Sequence, residues 1–140
     1  MFLLVHLTKK TTKMKTNKII YWTATTIVSV MMVYSAYAYL TSAAVAQAFQ
    51  HLGFPGYFRV ELAIAKLAGT VLLLAPVSAR IKEWAYAGFA ITFISAFIAH
   101  TASGDPAAIK IMTLVFLLLL TASYITYHKL PGKSLKIATA

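Results

Sequence analysis

The sequence predicts an all-α protein, a four-helix transmembrane bundle with a short amphipathic helix between spans one and two. Three observations predict it. The 140 residues are 60% hydrophobic and only 11% charged, with mean hydropathy +0.76, whereas a soluble domain carries about 25% charged residues. Four apolar stretches approach the roughly 20 residues that a helix needs to cross a bilayer core of about 30 Å. The basic residues behind the net charge of +10 fall in short clusters between these stretches, not along one stripe. That distribution fits a lipid bilayer and argues against a nucleic-acid partner. Cysteine is absent, which excludes disulfides, thiolate metal sites and thiol redox relays.

The chain divides into a basic segment (1–18), a membrane domain (19–127) and a basic tail (128–140). Met14 opens "MKTNKIIYW", a more typical start for a membrane protein than "MFLLVHLTKKTTK", so Met14 is an alternative start. A cleaved signal peptide ending at "SAYA" is disfavoured, because the apolar run is long and its removal leaves three spans with an unpaired helix face. The first span is expected over about Ile19–Leu40. Residues 42–57 then predict a short amphipathic helix ending at Gly53, followed by a Pro55–Gly56 turn. Val45, Ala48, Phe49 and Leu52 form its apolar face, which places it over the outer mouth of the bundle. The second span runs from about Tyr57 to Ala75, stopped by Pro76, and the third from about Trp84 to Thr101. Both are short, so thin or tilted edges are expected there. The fourth runs from about Ala107 to Tyr127.

Lys and Arg set the orientation. Ten of them lie before span one, in the loop between spans two and three, or in the tail; only Arg59 and Lys110 mark the other side. Both termini are therefore expected in the cytoplasm of a cell whose inner membrane the protein spans. Tyr21, Trp22, Trp84, Tyr86, Tyr124 and Tyr127 would mark the inner interface, and Tyr37, Tyr39, Tyr57 and Phe58 the outer one. Ala65 with Gly69, and Gly88 with Thr92, Ala96 and His100, supply small residues at four-residue spacing, which predicts contact between spans two and three.

"FRVELAIAKLAG" (58–69) carries Glu61 and Lys66 inside an apolar run, although the chain has only three acidic residues. Lys66 lies about 7.5 Å deeper than Glu61 and points roughly 140° away from it, so the two do not form an i,i+4 pair. An ammonium at that depth is costly unless paired, hydrated or snorkelled. Two arrangements fit, besides a lipid-facing placement. In one, Lys66 snorkels, Glu61 is solvated and His100 ends its helix. In the other, Glu61, Lys66, His100 and Asp105 form a polar cluster under the amphipathic segment, with Tyr37, Tyr39 and Gln47 beside it. Such a cluster would bind an anion or polar head group, or move a proton. The four histidines show no metal-ligand spacing, and no acid, base and nucleophile set converges, so neither a metal nor a catalytic residue is assigned. Lys82 and Glu83 suit a helix start and interface anchoring.

"HLGFPGYF" (51–58), "AKLAG" (65–69), "LLLAP" (72–76), "IKEWAYAGF" (81–89) and "AHTASGDP" (99–106) resemble the consecutive signatures of the DoxX-like family of small bacterial membrane proteins. The resemblance covers about residues 47–106. It implies a four-helix membrane bundle and makes Lys66, His100, Asp105, Glu83, Trp84, Tyr86 and Gly88 motif positions; Glu61 rests on the reading of the residues alone. It also implies a link to quinol oxidase or related redox systems. The function expected is a non-enzymatic binding or accessory module whose outer cavity takes a small polar or amphiphilic ligand, a membrane protein partner or a second copy. The alternative is a subunit of a quinone-linked oxidoreductase, with Lys66 and His100 on the quinone head group. No cofactor is required by the sequence.

Overall fold

A computed structural model describes residues 2–131, with side chains described from 11 to 131. Lys133, Lys136 and most of the basic tail lie outside the described residues, as do the side chains of Lys9 and Lys10. The described residues form five helices: α1 (Phe2–Thr41), α2 (Ala43–His51), α3 (Gly56–Leu74), α4 (Ala79–Ala102) and α5 (Ala107–His128). The first expected span is thus part of a 40-residue helix. Nothing between Phe2 and Thr41 is Gly or Pro, so no residue breaks the helix between the basic segment and the apolar run.

The helix ends follow from local chemistry. Ser42 caps α2 by accepting from the Val45 amide, and Ser78 caps α4 by accepting from the Ile81 amide. Because Ser78 starts α4 at Ala79, that helix has 24 residues, and the expected shortness of this span does not hold. α3 stops where Pro76 removes a donor. α2 and α4 end alike. In α4 the Asp105 amide donates to the His100 carbonyl and the Gly104 amide to Thr101; in α2 the Phe54 amide donates to Phe49 and the Gly53 amide to Gln50. These are Schellman caps, and they need a left-handed residue, supplied by Gly104 at φ 72° and Gly53 at φ 79°.

α1 packs against α3 and α5, and α4 packs against the same two helices. Val28, Met32, Leu73, Phe89, Phe93 and Leu120 meet in the core. α3 approaches α4 at Gly69, where a Cβ would lie 2.9 Å from the Phe89 ring. The expected contact between these helices therefore exists, but a ring fills it. Gly88 has open space around it, and with Thr92 it lines a crevice instead of the contact.

Polarity is inverted relative to a soluble protein. Thr25, Ser29, Ser35, Lys66, Thr70, Lys82 and Ser123 are buried, while Val30, Ile91 and Leu118 are more than 60% exposed. Three helices, α1, α4 and α5, are long and apolar enough to cross a membrane. Four were expected; α3 falls short because Arg59, Glu61 and Lys66 all lie within its 19 residues.

Candidate functional site

A cavity of about 390 Å³ opens between α1, α3, α4 and α5 in the half of the molecule that carries α2. Its polar lining is Ser35 and Tyr39 from α1, Lys66 from α3, and Thr92, His100 and Thr113. Most of the remaining wall is methionine and phenylalanine: Met31, Met32, Phe93, Met112 and Phe116. Lys66 is 4% exposed. Its Nζ donates to the Ser35 hydroxyl at 2.7 Å and sits 3.6 Å from the centre of the Tyr39 ring, a cation–π contact strengthened by the dry surroundings. Ser35 and Tyr39 are four apart on α1 and so share the face that α3 packs against.

The lid over this end is tied to the same residues. Phe49 of α2 is buried edge-on against Tyr39, with ring centres 4.8 Å apart. Arg59, in the first turn of α3, donates to the Tyr39 carbonyl. The Schellman cap of α4 turns the chain so that Asp105 falls back on its own helix end. One carboxylate oxygen lies 2.6 Å from His100 Nδ1 and the other 3.2 Å from His51 Nε2. Asp105 thereby joins α2 to the α4–α5 turn. Its carboxyl sits below the usual range, chiefly because of the hydrogen bond with His100. Burial opposes that lowering, and His51 and the imidazole charges add to it.

The expected site residues are thus placed as follows. Lys66, His100 and Tyr39 line one cavity, and Asp105 holds His100 from behind. Glu61 and Tyr37 are exposed and outside its lining. Gln47 is exposed on α2. Lys66 meets a hydroxyl and an aromatic face, not the carboxylate of Glu61 or Asp105. Ser35 and His51 were missed; the four-residue spacing of Ser35 from Tyr39 was the available signal for the first. Among the described residues no group of three or more His, Asp or Glu side chains has the geometry to hold a metal ion.

A second polar network occupies the opposite end. Lys82 is buried, and its Nζ donates to the Leu73 carbonyl at 2.7 Å and approaches the Tyr21 hydroxyl at 3.4 Å. Leu73 is in the last turn of α3, where Pro76 leaves carbonyls without amide partners, so the ammonium caps that helix. Tyr86 and Thr25 both bond Ser123, at 2.8 and 2.6 Å. Glu83 and His128 come within 2.8 Å, an ion pair when the imidazole is protonated, although the two atoms are not aligned as a hydrogen bond. Lys82 is therefore a core residue and not an interface anchor. Tyr21, Tyr86 and Tyr127 are likewise buried, leaving Trp22, Trp84 and Tyr124 as the exposed aromatics expected there. The hydroxyls of Tyr21 and Tyr86 find partners in this network, while the Tyr127 ring packs on Tyr21 and Tyr86 near the Lys82 ammonium.

The model of the DoxX-like family matches residues 23–123. Comparison with curated proteins and with solved structures finds no match. The family match covers well over half the chain, which belongs to the DoxX-like family and is a membrane protein.

Proposed function

We propose that this DoxX-like chain is a four-span inner-membrane binding or accessory module, with both termini cytoplasmic, that holds a small amphiphilic ligand in the Lys66 cavity. One observation carries the reading. A lysine that is 4% exposed lines a space of about 390 Å³ whose wall is otherwise mostly apolar, within the size range of small-molecule sites, about 300–1,000 Å³. A buried cation in a dry wall gives one fixed point for a polar head and leaves the rest of the cavity to an apolar body. Lys66 donates to the Ser35 hydroxyl as a cation instead of accepting its proton as a base, so binding accounts for the arrangement better than catalysis does. The test is native mass spectrometry of the gently solubilised protein beside a Lys66→Ala, His100→Ala double variant. A small molecule retained by the parent alone supports the reading. No retained molecule on either protein, with both equally stable, would sink it.

A second reading is a subunit of a quinone-linked oxidoreductase. It is favoured by His100, which lines the cavity and stands 2.6 Å from Asp105, a pair suited to passing a proton to a bound carbonyl. In the same experiment a retained mass equal to a quinone would move the conclusion to this reading.

A further inference from the structure

The chemical class of the ligand follows from charge balance around Lys66. The chain has three acidic residues, and each has a place elsewhere. Glu61 is exposed on α3, Glu83 faces His128, and Asp105 is shared by His51 and His100. No Asp or Glu lines the cavity, and among the described residues no carboxylate comes within ion-pair distance of Lys66. An ammonium has three N–H donors, and among the described residues only Ser35 accepts from this one in a hydrogen bond. The Tyr39 ring offsets part of the charge without removing the cost of burying it. Of the other titratable groups in the wall, His100 adds positive charge when protonated and the Tyr39 phenol is uncharged near neutrality.

Resting on the reading that this cavity holds an amphiphile, we infer that the ligand is a single-chain amphiphile with a carboxylate-type anionic head, which completes the ion pair left open on Lys66. The head takes the free ammonium donors in a low-dielectric site, where a charge-assisted hydrogen bond is strongest. The tail lies along Met31, Met32, Phe93, Met112 and Phe116. Unbranched methionines adapt to chains of different length and saturation, so the head, not the tail, sets the selectivity. A cationic amphiphile is rejected by like charge, and a neutral alcohol leaves the ammonium unpaired.

The experiment compares dodecanoate, dodecanol, dodecylamine and acetate, each added to the protein in a neutral detergent, with bound adducts read by native mass spectrometry. The parent protein, Lys66→Arg and Lys66→Met are measured side by side. The expected result is that the parent retains dodecanoate at least about tenfold better than the alcohol or the amine. Lys66→Arg keeps that preference and Lys66→Met loses it. Equal retention of dodecanoate and dodecanol by the parent would overturn the anionic head while leaving an amphiphile cavity in place. Acetate bound as well as dodecanoate would show a free carboxylate site with no use for a tail. Retention of none of the four would overturn both this inference and the reading it rests on. If Lys66→Met does not fold, the ligand series on the parent and on Lys66→Arg decides alone.

Discussion

Gly104 shows how much of the site hangs on one backbone angle. At φ 72° it adopts a conformation that costs a residue with a Cβ about 1–2 kcal/mol, and the turn it makes delivers Asp105 to His100. Gly104→Ala is expected to lower stability by about 1 kcal/mol, measured by thermal unfolding in detergent. Gly88→Ala, in mid-helix with open space around it, should be neutral or slightly stabilising; equal losses in both would refute the conformational argument. Lys82→Met removes the cap on Leu73 and should cost about 1–3 kcal/mol, whereas an interface anchor would cost almost nothing. That role was partly legible. Lys82, Ala85, Tyr86, Phe89 and Phe93 share one helical face and are all buried, a spacing present in the sequence although Tyr86 was expected at the interface. The position of Lys82 before the exposed Trp84 suggested the interface instead, and only the end of α3 at Pro76 explains why a cation belongs inside.

Among the elements, α2 is the one held most lightly. Phe49 is its single fully buried residue, and His51 is its tie to the α4–α5 turn through Asp105. Because the folded carboxyl of Asp105 is lowered, its contribution is complete above the ordinary carboxylate value of about 3.9. It is lost as pH falls below that and through Asp105's own lower value. Protection of the α2 amides against hydrogen exchange, taken relative to the intrinsic rate at each pH, should therefore hold from neutrality to about pH 4 and fall below it. Asp105→Asn should remove that step, and an unchanged step in the variant would assign it to another group. His51→Ala should speed α2 exchange already at neutral pH. The sequence predicted this helix and its apolar face, including Phe49, because periodicity and the terminal Gly53 are local signals. It did not join His51 to Asp105, which are 54 positions apart and meet only through the cap geometry of a different helix.

For the molecule as a whole, the topology turns on whether α3 crosses the membrane. It is only 19 residues long, so any stretch of it long enough to span includes Arg59, Glu61 and Lys66, and periodicity or hydropathy alone does not say where those charges point. The packing argues for a crossing. α3 lies along both α1 and α4, each apolar enough to span, and its 19 residues extend about 28 Å, close to the thickness of a bilayer core. The deepest charge, Lys66, is turned into the interior, while Arg59 and Glu61 lie in the first turns next to the α2 end. A crossing would present to lipid residues such as Ile64 and Val71, which are 61% and 63% exposed. If α3 crosses, Gln50 and Ser78 are on opposite sides of the membrane. The absence of native cysteine makes this measurable with single Gln50→Cys and Ser78→Cys variants and a membrane-impermeant thiol reagent on intact cells. Gln50→Cys should label at once and Ser78→Cys only after permeabilisation. Labelling of both positions from one side would mean that α3 does not span and that Lys66 reaches its cavity from the membrane surface; the reverse order would invert the orientation and leave the crossing intact.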